Sequence, residues 1–82
     1  MQEYIATFFS HFGALRFQKL CADKGWHAEV RPVPRSLSSS CGTCVFFSTA
    51  HLGAVEDLAT PELEQVVEIQ ENAYLSLWHA ED

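Results

Sequence analysis

The spacing of apolar residues changes character along the chain, and each change marks an element. Residues 3–9 (EYIATFF) are dense in aromatic and β-branched side chains and predict a strand. Ser10 then offers a capping hydroxyl. Ala14, Phe17, Leu20 and Cys21 recur at helical spacing, while Arg16, Gln18, Lys19 and Asp23 fall off that stripe. The helix is expected to run to about residue 24 and to stop at Gly25, which accepts the left-handed conformation of a helix end. Residues 27–33 (HAEVRPV) alternate, with a proline near the end as on an edge strand. Residues 43–48 (TCVFFS) predict a third strand, apolar on both faces. Residues 51–59 (HLGAVEDLA) show no clean period and read as an irregular connection with room for one helical turn. Thr60-Pro61-Glu62 carries the start signals of a second helix, whose face would hold Leu63, Val66, Val67 and Gln70 and which would end near Asn72. Residues 74–79 (YLSLWH) alternate again and predict a fourth strand.

The resulting order, β-α-β-β-α-β within a single domain of residues 1–82, predicts an α+β fold. Its expected form is a two-layer ferredoxin-like sandwich, an antiparallel four-stranded sheet with two helices on one face. In such a fold the turn between the second and third strands lies at the end of the sheet where the first strand exits into the first helix. Cys41 would then sit near Ser10, His11 and the amide-rich start of that helix. Two helices cover one face only, and Tyr4, Phe8, Phe9, Phe46 and Phe47 are too many rings to fit beneath them. A homodimer through the open sheet face, or a docking partner, is therefore expected. The alternative is that residues 51–59 fold across that face.

Composition narrows the partner. At 48% hydrophobic and 20% charged, the chain should fold rather than stay disordered, although 82 residues leave little stability to spare. Its 11 acidic against 5 basic residues argue against nucleic acid and against an anionic membrane, and favour a protein or a small molecule. No charged start leads into a long apolar core, and no apolar run approaches the roughly 18 residues of a membrane span, so a cytoplasmic location is expected. Three cysteines suit a secreted disulfide scaffold poorly, and in a reducing compartment they point to thiol chemistry or metal binding.

Two of those cysteines stand in the stretch PRSLSSSCGTCVFF, where a serine-rich loop delivers Cys41 into a C-x-x-C spacing with Cys44 ahead of an apolar strand. This segment, with an opening of the form YIATFFSHFGALRFQKL, resembles small bacterial domains described as selenium or sulfur (Se/S) carrier-like proteins. The resemblance covers roughly the first fifty residues, and Pro34-Arg35-x-Leu37-Ser38-Ser39-Ser40-Cys41-Gly42 is its most specific part; beyond His51 it extends only to the order of helix then strand. It implies that Cys41 is the reactive residue, with Arg35 and the serines as its loop.

A carrier thiol must ionise near neutral pH, accept a sulfur or selenium atom and remain open enough to pass it on. A helix start, a cation or converging amides lower a thiol pKa, and Arg35 together with the helix after Ser10 would supply such a field. Gly42 leaves the sulfur sterically open. Ser38, Ser39 and Ser40 offer amides and hydroxyls to the outer atom of a persulfide, and His11 reads as an exposed first-turn residue whose alternative role is contact with the Cys41 loop. Cys44 would act as a resolving thiol.

Two other readings compete. One is a dithiol redox module using Cys41 and Cys44, although a thioredoxin-like C-x-x-C opens a helix and this one leads into a strand. The other is an interaction domain in which the serine loop is structural. No metal or other cofactor is expected, since two cysteines give half of a tetrahedral shell and His11, His51 or a second subunit would have to complete it, while His27, His51 and His79 show no shared spacing. Cys21, on the apolar face of the helix, reads as core. With no nucleotide loop, no paired carboxylates and no triad in view, a carrier or accessory domain served by a protein donor or acceptor is a better fit than a complete enzyme.

Overall fold

The first strand, β1 (Gln2–Phe8), leads through Ser10 into one helix, α1 (His11–Asp23), and the chain then forms β2 (His27–Pro32) and β3 (Thr43–Thr49). A 3₁₀ turn (Val55–Leu58) precedes β4 (Leu63–Gln70) and β5 (Ala73–His79). The structure is a computed structural model that describes residues 1–81. The five strands form one antiparallel sheet in the order β2-β3-β1-β4-β5.

This corrects the expected ferredoxin-like sandwich: among the described residues there are five strands rather than four, and one α-helix rather than two. The error lies in residues 60–72, and its cause is a β-bulge. Leu63 pairs with Phe8 and Gln65 with Thr7, so Glu64 is an extra residue without a counterpart on β1. The insertion places Leu63 and Val66, three apart, on the same side of the sheet, and that spacing imitates a helical stripe. Val67 turns to the other side, opposite Ile5. The start signals were real turn signals: Leu63 N–H donates to Thr60 O at 3.1 Å, with Pro61 supplying the fixed φ of a turn's second position. Residues 51–59 hold their one helical turn, and the alternating 74–79 segment is β5.

The first half of the chain follows its local signals. Ser10 Oγ accepts from Gly13 N–H at 3.2 Å, capping α1. Gly25 ends it at φ +77°, with Gly25 N–H on Ala22 O at 3.0 Å and Trp26 N–H on Cys21 O at 2.9 Å, a paired C-terminal closure.

Each face of the sheet has its own cover. On the helix face Tyr4, Ala6, Phe8, Val45, Phe47 and Val66 pack with Ala14, Phe17 and Cys21 of α1 and with Val55 and Leu58 of the 3₁₀ turn. Phe17 and Phe47 meet edge to face at 5.2 Å, and Tyr4 stacks on Phe47 at 5.3 Å. The segment around Val55 and Leu58 thus covers the helix face, in the place where a second helix was expected, and not the opposite one. Tyr4, Phe8 and Phe47 are all buried beneath it and α1, so the ring count alone does not demand an outside partner. Phe9 remains exposed, and Phe46 is half-buried with the Arg31 guanidinium 4.6 Å above its ring.

On the second face Ile5, Cys44 and Val67 form a smaller core, packed by Val33 and Leu37 of the serine-rich loop. Toward the β4–β5 hairpin this face stays open as a groove of about 630 Å³ bordered by Leu37, Val67, Ile69 and Tyr74. No helix among the described residues is long and apolar enough to cross a membrane.

Candidate functional site

Pro32 ends β2 and Thr43 opens β3, so residues 33–42 form a loop fastened at its base by Val33 N–H on Gly42 O at 3.0 Å. A tight turn, Leu37 N–H on Pro34 O at 3.0 Å, starts it and tucks Val33 and Leu37 against the sheet. Its second half is held by β4. Gln65 Nε2 donates to Ser38 O at 2.8 Å, Ser40 N–H donates to Glu64 Oε1 at 3.1 Å, and the Ser40 hydroxyl donates to Glu64 Oε2 at 2.6 Å. The Glu64 carboxylate also accepts from Thr7 Oγ1 at 3.1 Å. Charge-assisted bonds of this kind are stronger than neutral ones. The serine segment is therefore tied to the sheet and does not swing free.

Cys41 follows Ser40. It is half-buried, packs against the helix-face core, and its thiol donates to Thr43 O at 3.4 Å across the turn at Gly42, whose φ is +76°. An added Cβ at Gly42 would meet nothing within 4 Å apart from its chain neighbours, so the Cβ side of this turn is open. Thr43 Oγ1 lies 2.5 Å from His11 Nδ1, which joins the loop's exit to the first turn of α1. His11 and Ser10 thus stand at the same end of the sheet as the loop. The reason is topological: β1 and β2 run parallel with β3 between them, a relation that holds with or without a second helix.

The remaining predicted residues divide. Ser38 and Ser40 are the tethered ones, while the Ser39 hydroxyl is buried without a hydrogen-bond partner. Arg35 is exposed on the turn and makes no ion pair or side-chain hydrogen bond among the described residues. Cys44 is fully buried on the second face, its thiol directed at Pro32 O at 3.7 Å. Burial pushes the Cys44 thiol up to about 11, with Arg31 opposing and Cys41 adding to the effect. Burial pushes Cys21 up to about 12 against the pull of Lys24. All three cysteines are free thiols, and Cys41 and Cys44 pack into different clusters on opposite faces of the sheet.

Sequence reasoning missed Glu64, Gln65, Thr7 and Thr43. Read as a strand, LEQVVEIQ shows the signal that was available: two consecutive polar residues interrupt the alternation where the bulge occurs. No group of three His, Cys, Asp or Glu side chains among the described residues could hold a metal ion.

Comparison with curated proteins and with solved structures gives no match. One family does match, over residues 3–71, which takes in the serine loop, Cys41, Cys44 and the bulged strand; the chain belongs to the family described as "Putative Se/S carrier protein-like".

Proposed function

We propose that the chain carries sulfur or selenium as a covalent passenger on Cys41, taking it from a protein donor and handing it to a protein acceptor. The observation that carries this reading is the contrast among the thiols. Cys21 and Cys44 are fully buried and held protonated far above neutral pH, whereas Cys41 is the one cysteine that solvent and a partner can reach.

Loading is a thiol exchange. The Cys41 thiolate attacks the terminal sulfur of a donor persulfide, the new Sγ–S bond forms as the donor's S–S bond breaks, and the donor leaves as a thiolate. No net oxidation occurs and no further reactant is needed. Unloading is the same step with an acceptor thiolate attacking the outer sulfur. Selenium follows the same course with a selenium atom in the outer position.

The neighbours have matching roles in this reading. The turn at Gly42 would leave room for the outer atom, and the serine segment, held to β4 through Ser38 and Ser40, would keep the loop in place around its carrier residue. Ser10 and His11 place the start of α1 at the loop's end of the sheet, joined to the loop's exit through Thr43. Arg35, exposed and unengaged, would meet an anionic group on the partner. The donor or acceptor would approach the accessible side of the loop at Cys41, while the open groove on the other face of the sheet is where a second copy of the chain would dock.

The test is intact-mass analysis after incubation with a persulfide donor. A gain of one sulfur that Cys41→Ser abolishes and Cys44→Ser retains supports the carrier. A loss of two protons between Cys41 and Cys44 would replace it with a dithiol redox module, and an inert protein would leave an interaction domain.

A further inference from the structure

We infer that Glu64 is a positioning residue for the Cys41 thiol and acts on it through Ser40. The inference takes its functional meaning from the carrier reading above. Its structural content stands on the bulge and on the bonds that the bulged residue makes.

Glu64 is the unpaired residue of the β4 bulge, a device that re-aims a side chain out of the regular ladder. Here the re-aimed carboxylate reaches the loop. Oε1 accepts from both Ser40 N–H and Thr7 Oγ1, each at 3.1 Å, and Oε2 accepts from Ser40 Oγ at 2.6 Å. Thr7 is fully buried in the central strand, so one side of the carboxylate is fixed to the most rigid part of the sheet. The next residue, Gln65, holds Ser38 O at 2.8 Å. Ser39, between the two tethered serines, has its hydroxyl buried.

Cys41 is thus bracketed. Ser40 is fixed by two bonds to Glu64, and Gly42 O is fixed by Val33 N–H at 3.0 Å. A carboxylate suits the task because its two oxygens accept from three donors at once. Glutamine in the same place keeps one accepting oxygen for Ser40 N–H and Thr7, and the Ser40 hydroxyl can rotate to accept from its amide. Alanine keeps nothing.

The test compares Glu64→Ala and Glu64→Gln with the wild-type chain by two measurements, the rate of Cys41 alkylation by iodoacetamide and hydrogen exchange at the Ser40 amide. In Glu64→Ala the Ser40 amide should exchange about tenfold faster and Cys41 alkylation should rise several-fold, while the amides of the β1–β3 ladder keep wild-type protection. Glu64→Gln should stay within about twofold of wild type on both. If Ser40 loses its protection but Cys41 alkylates at the wild-type rate, Glu64 is a structural tie only and the inference fails. Unchanged Ser40 exchange overturns it as well. Should Glu64→Ala not fold, Ser40→Ala removes the hydroxyl arm alone and must raise Cys41 alkylation in the same direction. A wild-type chain that takes up no sulfur would end the carrier reading while leaving the alkylation and exchange results to be judged separately.

Discussion

Thr43 Oγ1 and His11 Nδ1 stand 2.5 Å apart, so the residue that opens β3 is bonded to the residue that opens α1. Cys41 lies two positions before Thr43 and shares its backbone turn. The contact therefore couples the orientation of the loop's exit to the start of the helix. Both partners are accessible to water, which keeps the bond at the lower end of its range. Thr43→Val and His11→Ala should each cost about 0.5–1 kcal/mol in urea unfolding, and the double variant should cost less than the sum of the two. Strict additivity would mean that the pair does not interact in solution.

The three thiols should separate cleanly by reactivity. Below pH 9 in the native state, alkylation should reach Cys41 alone, with Cys44 second and Cys21 last as the pH climbs toward their raised values of about 11 and about 12. Peptide mapping of a time course checks this order. Cys44 reacting as fast as Cys41 in folded protein would show that β3 opens at its N-terminal end.

Those same buried thiols give stability a pH dependence at the alkaline end. The sign follows from burial: both thiols keep their protons in the folded chain at pH values where the unfolded chain, with thiols near about 8.5, has lost them. Their contribution is complete below about pH 8.5 and is lost as pH rises through the window up to about 11 for Cys44 and about 12 for Cys21. Tyr4, raised by burial and then by Glu68, adds to the same trend. The melting temperature should therefore fall steeply above about pH 9, and the Cys21→Ala, Cys44→Ala double variant should show a shallower fall. An equal slope in both chains would locate the alkaline sensitivity elsewhere.

The sequence carried the first half of this fold openly. Ser10, the apolar stripe of α1 and Gly25 are local signals whose meaning does not depend on distant partners, and each acts where it was read. Placing Cys41 at the His11 end of the sheet needed only the parallel relation of β1 and β2, so it survived the loss of the second helix. The second half was hidden because Leu63 and Val66 owe their three-residue spacing to one inserted residue, Glu64, whose purpose appears only when Ser40 and Thr7 are in place. A bulge is a relation between two strands, and the two consecutive polar residues Glu64 and Gln65 mark it only once the segment is already read as a strand. The cover of the second face was equally non-local: Val33 reads as the last residue of the edge strand and Leu37 as a loop residue until the loop folds back over Ile5 and Val67.

Gly13 should reverse the ordinary glycine-to-alanine effect. In a helix interior alanine is favoured by about 0.5–1 kcal/mol. At this position a Cβ would stand 2.7 Å from Glu62 Cβ and 3.2 Å from Phe8 Cδ2, where α1 closes on the segment leading into β4. Glu62 is itself anchored there, its carbonyl accepting from Phe9 N–H at 2.9 Å, so the neighbour cannot simply swing aside. Gly13→Ala is expected to lose about 1–3 kcal/mol in denaturant unfolding, the usual cost of overpacking. A stabilised variant would show that helix and strand separate more readily than the packing implies.

Gly42 constrains the chain for a different reason, and its substitution bears directly on Cys41. An added Cβ there meets no atom within 4 Å, so nothing clashes, but φ is +76° and an L residue pays for the left-handed backbone. Gly42→Ala should therefore cost about 1–2 kcal/mol, and Gly42→Asn should recover part of that because asparagine tolerates the same backbone better. If the turn relaxes to negative φ to relieve the strain, the Cys41 thiol loses its alignment with Thr43 O and the Val33 N–H contact to Gly42 O is broken. Alkylation of Cys41 in Gly42→Ala should then depart from the wild-type rate, with Gly42→Asn falling between the two. Equal stability and equal Cys41 reactivity in all three chains would show that the positive φ is not needed to present the thiol.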